Sequence, residues 1–437
     1  MPPTSVVRAE ALLYYSGFFL SKTNTDPNAF WKDVVRDEEE RLTTFIKENG
    51  PFDDSIAAMK LAGDAKLFDK LHVAYAWLGA HRRNAMLGTS EESEAEAEAD
   101  DEHGRKKSHA PEPYEKRLLE PWKIAAEYVG IARALGAEAH MILAPDRRDR
   151  YWDPGLLSEG QLDERLVEVR SPGDPDDRAI VVAPGWGLPF GVLPYWMAPS
   201  KGLLVTKEGG RDDVLRGTDP RLNVLETRAS IALDDAGGAR AAWTTTGAGQ
   251  RGFREIRRLR VSSPENRKKA LDDLCGASAS LDVSKAEAPA LDDVNAAYRL
   301  ECEGHEAVPG AGEGREELAV RFDGAWIPDV PLFASPTRAF PIVFDYPWID
   351  IASIEVVAPK GYAPSPSPTP VKIESAFGSY ALSVTATDRG YEVHRAFAMV
   401  SATIKSEAYD ALRKFLEQVR VTDRTAVVFR RAPAGPP

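Results

Sequence analysis

Between residues 121 and 136 the apolar positions Ile124, Tyr128, Ile131 and Leu135 recur at i, i+4, i+7 and i+11, which draws one stripe along a helix. Pro121 suits the first turn of that helix, and Gly136 suits the left-handed position just past its end. Residues 137–143 follow with the pattern of a buried strand. Upstream, Phe30, Trp31, Val34 and Val35 are the early apolar positions of a helix from about Asn28, whose side chain is placed to cap it; Gly50-Pro51 ends it. Leu67, Leu71, Ala74, Tyr75 and Leu78 predict a second helix from about Asp64 to Leu87. Strands are expected over 162–169, 178–183 and 201–206. The glycine- and proline-rich residues 184–194 read as loop, because proline removes ladder donors.

From about residue 215 the texture changes to short strands separated by Gly, Pro, Asn and Asp turns, at about 222–231, 241–246, 295–302, 317–322, 351–357, 379–386 and 391–403. Helices are expected near 264–274 and over 407–419, where Tyr409, Leu412, Leu416 and Val419 share a face. The predicted class is therefore α+β, with an antiparallel β-sandwich-like second domain. A chain of 437 residues exceeds one ordinary core. The boundaries read as a strand-like tail over 1–27, a first domain over 28–210 and a β-rich domain with two helices over 215–437. Residues 88–113, an acidic run followed at once by a basic one, read as a flexible insertion.

Charge and composition narrow the function. The hydrophobic share of 43% and charged share of 28% fit a soluble globular protein. Net charge is −13, but residues 91–102 alone hold eight carboxylates, and without them the balance is −5. No basic stripe faces phosphates, so nucleic acid is excluded as a partner. The acidic run lacks the alternating spacing and turn glycine of a calcium loop. The early apolar run 14–20 is too short to span a bilayer and lacks the features of a signal peptide. The chain as it stands reads as cytoplasmic, or as exported if an upstream segment precedes it. Cys275 and Cys302 cannot build a disulfide framework and are expected as buried free thiols, with pairing the alternative if strands bring them together.

Several segments, in order, resemble bacterial transglutaminase-like proteins. Residues 30–34 (Phe-Trp-Lys-Asp-Val) resemble the family's entry helix, and residues 69–78 its Lys-Leu to Tyr and Trp helix. Residues 134–139 (Ala-Leu-Gly-Ala-Glu-Ala) resemble the end of its nucleophile helix, and 190–194 (Phe-Gly-Val-Leu-Pro) its glycine-leucine-proline loop. Residues 358–362 and 409–415 are similar to a turn and a final helix of the carboxy-terminal domain found beside such cores. The resemblance implies a papain-like fold that carries a Cys-His-Asp triad for acyl transfer or amide hydrolysis. In such a triad a helix amino terminus stabilises the thiolate, a histidine activates it and an aspartate orients the imidazole.

On that alignment the thiol position falls on Pro121 or Trp122, the histidine position on or beside Glu164, and the aspartate position near Ala183. None of these residues can take the family's role, and no cysteine precedes Cys275. The sequence thus predicts a degenerate transglutaminase-like domain that acts as a binding or scaffolding module for a protein or peptide. Candidate cleft residues are Glu120, Trp122, His140, Trp186, Tyr195 and Trp196. Two alternatives stand beside this one. The first is a hydrolase or acyltransferase with reassigned residues, beginning with Glu120, His140 and Glu164; the second is half of a split transglutaminase-like system. No cofactor motif and no metal-ligand spacing occurs.

Overall fold

The computed structural model describes residues 26–85, 118–234, 238–260, 262–276, 281–289, 291, 296–307, 316–321, 330–331 and 333–432. The predicted acidic insertion and nearly all of the predicted tail lie outside the described residues. The chain divides into two compact units, one ending at Thr218 and one beginning at Asp219. Among the described residues no helix is long and apolar enough to cross a membrane.

The first unit opens with α1 (Pro27–Asn49). Its cap is Asp26, whose side chain accepts from the Ala29 N–H at 3.2 Å, and not Asn28 as the sequence suggested. After the short α2 (Asp53–Ala58) comes α3 (Leu67–His81). This helix stops well before Leu87 because Arg82 turns to an extended backbone and buries its guanidinium against Glu127. A short parallel pair, β1 (Arg83–Asn84) and β2 (Leu118–Leu119), precedes α4 (Pro121–Ala134), which exits through Gly136 at φ 93°.

Behind α4 lies an antiparallel sheet of β3 (Glu138–Ala144), β4 (Glu164–Arg170), β5 (Arg178–Val182), β6 (Ser200–Thr206) and β7 (Gly209–Leu215). Its spatial order is β5-β4-β3-β6-β7. Arg178 on one edge strand donates at once to Glu168 (2.7 Å) and to Asp213 (2.8 Å) on the other edge strand. One side chain can join both edges only if the sheet curls strongly. Helix α4 packs on β3 and β4, and α1 on β6 and β7, which leaves Ile124, Tyr128 and Ile131 fully buried.

The second unit holds β8 (Val224–Leu233), β9 (Gly238–Gly247), α5 (Gly249–Arg260), α6 (Pro264–Leu274), β10 (Leu281–Glu287) and β11 (Tyr298–Ala307). It continues with β12 (Glu317–Arg321), β13 (Ile342–Val343), β14 (Trp348–Val357), β15 (Tyr362–Pro364), β16 (Val371–Glu374), β17 (Gly378–Ala386), β18 (Gly390–Met399), β19 (Thr403–Ile404), α7 (Tyr409–Asp423) and β20 (Ala426–Arg431). Eight of these strands form one sheet, β10-β11-β9-β8-β14-β18-β17-β16. A three-stranded sheet, β12-β20-β15, packs on it where Tyr391 meets Phe429 at 5.0 Å.

Two sequence expectations are corrected here. The large sheet is not wholly antiparallel, because β8 and β14 run parallel. The chain reaches β14 only after a long excursion through two helices and several strands, the kind of crossover a parallel neighbour requires. The cysteines are not free thiols: Cys275, at the carboxy-terminal cap of α6, is disulfide-bonded to Cys302 on β11, with Cα atoms 5.8 Å apart. The packing of α6 on β10, the neighbour of β11, brings the two together. Replacing both cysteines with alanine is expected to cost the second unit about 3 kcal/mol through the freed 27-residue loop. The urea midpoint should fall accordingly, and the same midpoint with and without the bond would contradict this.

Candidate functional site

Helix α4 starts at an exposed Glu120 that makes no side-chain cap, followed by Pro121 and a buried Trp122. The Trp122 indole N–H donates to Glu38 Oε1 at 2.6 Å, Arg41 lies 3.8 Å over its ring, and Phe45 meets it edge-on at 5.5 Å. Arg165 donates to the same Glu38 oxygen at 3.1 Å. The helix opening is therefore sealed against α1 by an indole, a carboxylate and two cations. Ala183, just after β5, is fully buried and offers no polar atom beyond the main chain.

Glu164 belongs to a separate cluster. It begins β4 opposite Ala144, and alternation along the strand sends it away from the face that carries Arg165 toward Glu38. Trp196 donates to Glu164 Oε1 at 3.2 Å and meets Trp186 (5.4 Å) and Tyr195 (5.2 Å) edge-on. The loop after β3 holds this group in place. Arg147 donates from its backbone N–H to the Trp196 carbonyl at 2.7 Å and from its guanidinium to the Tyr195 carbonyl at 2.8 Å. Arg148 pairs with Asp146 and lies 5.3 Å from the Trp196 ring.

Burial, reinforced by the nearby carboxylates of Asp163 and Asp146, pushes Glu164 up to about 7, against the Trp196 hydrogen bond and the Arg148 charge. A carboxyl group so placed exchanges its proton near neutrality, the condition for general acid or base work. The shift also ties stability to pH. Below about 4.5 the carboxyl is protonated in both folded and unfolded chains and contributes nothing. Between 4.5 and 7 only the unfolded chain ionises, so stability falls as pH rises through that window. Glu164→Gln is expected to remove this cost and stabilise the first unit by roughly 2–3 kcal/mol above pH 7, with no gain below pH 4.5. Urea unfolding of both proteins across pH 4 to 8 checks it; a gain that does not vary with pH would refute the assignment.

The structure does not gather the sequence candidates into one cleft. Glu120 is exposed, and the charges acting on Glu164 are those of Asp163, Asp146 and Arg148. His140 stands opposite Glu168, four residues along the ladder from the Ala144–Glu164 pair, about 13 Å away. Burial lowers the His140 pKa, helped by Arg133 and Arg170 and opposed by Glu168 and Glu39. Trp122, Trp186 and Trp196 are 8%, 2% and 1% exposed, so their rings fill core and offer no stacking platform. Asp146, Arg147 and Arg148, which hold the Glu164 cluster, were missed; the only sequence signal was a short charged loop after an apolar strand. No group of three His, Cys, Asp or Glu among the described residues is placed to hold a metal ion.

Residues 327–429 match a family model described as a domain of unknown function with a solved structure, DUF3858. The match lies within the second unit and spans β13 to β19, α7 and most of β20. No curated protein matches the chain. A crystal structure from Parabacteroides distasonis ATCC 8503, described as a "putative protease", is similar at 11% identity and a TM-score of 0.47. The similarity covers 91% of this chain and 58% of that one, so this chain spans little more than half the length of the protein it matches.

Proposed function

We propose that the first unit is a transglutaminase-like, papain-like domain that has lost its chemistry and serves as a binding or scaffolding module for a protein or peptide. The observation that carries this reading is the start of α4. On the alignment read from the sequence, Pro121 or Trp122 takes the thiol position of such an enzyme, and Trp122 is fixed by Glu38, Arg41 and Phe45. The buried Ala183 supports it, since a methyl group cannot orient an imidazole. With proline and tryptophan at the start of α4, that position supplies no nucleophile for covalent acyl transfer. The direct test is to assay the purified chain for transamidation and for peptide hydrolysis. No turnover is expected.

A second reading rests on Glu164, whose proton is poised near neutrality beside Asp146 and Arg148. In that case the chain is a hydrolase with a reassigned carboxyl group. Turnover that Glu164→Gln abolishes would overturn the binding-module reading in favour of this one.

A further inference from the structure

We propose that two copies of this chain associate about a two-fold axis through β16, a terminal strand of the eight-stranded sheet. Strand β16 pairs with β17 on one side, and along its other side the backbone donors and acceptors have no strand partner among the described residues. The opposite terminal strand, β10, is guarded: a register shift between Val283 and Lys285 breaks its line, and α6 packs on it. Strand β16 keeps an unbroken register with β17. Beside it opens a groove of about 570 Å³, lined by residues 372–374 of the strand and by Glu417, Gln418, Val421 and Thr422 of α7. Val421 is 62% exposed, the most of any large apolar side chain among the described residues.

The charges on the strand select the occupant. Lys372 and Glu374 are both exposed, and neither has an ion-pair partner among the described residues. A lysine alone at a sheet edge repels a second copy, whereas a lysine and a glutamate two residues apart make the edge its own complement. When two β16 strands meet antiparallel about Ile373, each Lys372 stands opposite the second copy's Glu374, so the pair forms twice, as a two-fold interface requires. The other face of the strand is apolar at the same place. Ile373 is paired with Tyr380, whose hydroxyl reaches Asp423 of α7, so Ile373 projects to the helix side. The two copies of Ile373 meet at the axis, beside the exposed Val421 of each helix, and this apolar surface leaves water. Glu417 brings little net charge to the groove, because Arg420 lies 3.7 Å from it. An unrelated strand satisfies the same backbone groups, but the order of charges on β16 is matched by β16 itself. Pro370, which has no N–H, limits the contact at one end, so association is expected to depend on concentration. The interface does not rest on the reading of α4 given above.

Sedimentation velocity of the full chain over a wide range of concentrations tests the proposal. A reversible equilibrium between one chain and two is expected. Glu374→Lys and Lys372→Glu each set like charges opposite one another twice, and each should weaken dimerisation about tenfold. The double variant, Lys372→Glu with Glu374→Lys, restores opposite pairs and should dimerise as the parent does. Both side chains are exposed, so the variants are expected to fold. Hydrogen exchange locates the contact: backbone amides within residues 371–374 that face away from β17 should gain protection as concentration rises. A single chain at every concentration would overturn the proposal and leave the edge to an extended segment of another protein. A dimer that withstands both single exchanges of charge, or that the double exchange fails to restore, would overturn it by placing the interface elsewhere.

Discussion

Glu127→Ala is expected to destabilise the first unit by about 3–5 kcal/mol, the usual cost of leaving one member of a buried ion pair alone. Arg82 closes α3 and reaches Glu127 in the middle of α4 with two parallel hydrogen bonds, Nε to Oε2 at 2.9 Å and Nη2 to Oε1 at 2.6 Å. The two side chains are only 5% and 4% exposed, so water cannot replace the missing partner. A double variant, Arg82→Met with Glu127→Leu, should recover most of the loss, because a buried pair replaced by apolar groups is often neutral. Urea unfolding followed by tryptophan fluorescence distinguishes the two. A Glu127→Ala protein within 1 kcal/mol of the parent, on the order of a single neutral hydrogen bond, would show the pair to be marginal.

A loss of similar size, about 3–5 kcal/mol, is expected in the second unit for Asp423→Ala. Asp423, near the end of α7, accepts from Arg395 Nε at 2.8 Å and Nη2 at 2.9 Å, and from the Tyr380 hydroxyl at 2.7 Å. Arg395 is 1% exposed and projects from β18 toward the helix, so the aspartate is the anchor that docks α7 on the large sheet. Tyr380→Phe removes one bond of the three and should cost only about 1 kcal/mol. The ranking of the two variants in chemical denaturation is the check; equal losses would mean that packing, not charge, holds the helix.

Periodic apolar segments were the legible part of this sequence. The stripe through Ile124, Tyr128 and Ile131 placed α4, and the apolar run after it placed β3, because both elements are buried and their patterns follow from burial. Strand β7 was not legible: Gly-Gly-Arg-Asp-Asp-Val-Leu has no apolar alternation, and it is a strand because it pairs along its whole length with β6 across a tight turn, with Asp213 also meeting Arg178 from across a curled sheet. The basic helix α5 escaped for a related reason. Its stripe of Phe253, Ile256 and Leu259 is short, and Arg251 reaches Asp350 nearly a hundred residues away. At the candidate site the residues at Pro121, Trp122, Glu164 and Ala183 could be named from order along the chain. That the Trp122 group, joined by Arg165, and the Glu164 group lie on opposite faces of β4 depends on strand alternation at one position. Such contacts between distant residues leave no local pattern to read.

The link between Cys275 and Cys302 makes the second unit a record of the conditions under which it folded. The two residues are 0% and 2% exposed, so neither an exchanging thiol nor an oxidant reaches the sulfurs without the fold opening first. A chain that folds where thiols stay reduced keeps two sealed sulfhydryls, and later oxidation of its surroundings cannot close them. A chain that folds under oxidising conditions carries the closed bond into any later environment. Two populations with the same sequence and the same shape would thus differ by two hydrogen atoms, and they would interconvert no faster than the structure around the two sulfurs opens.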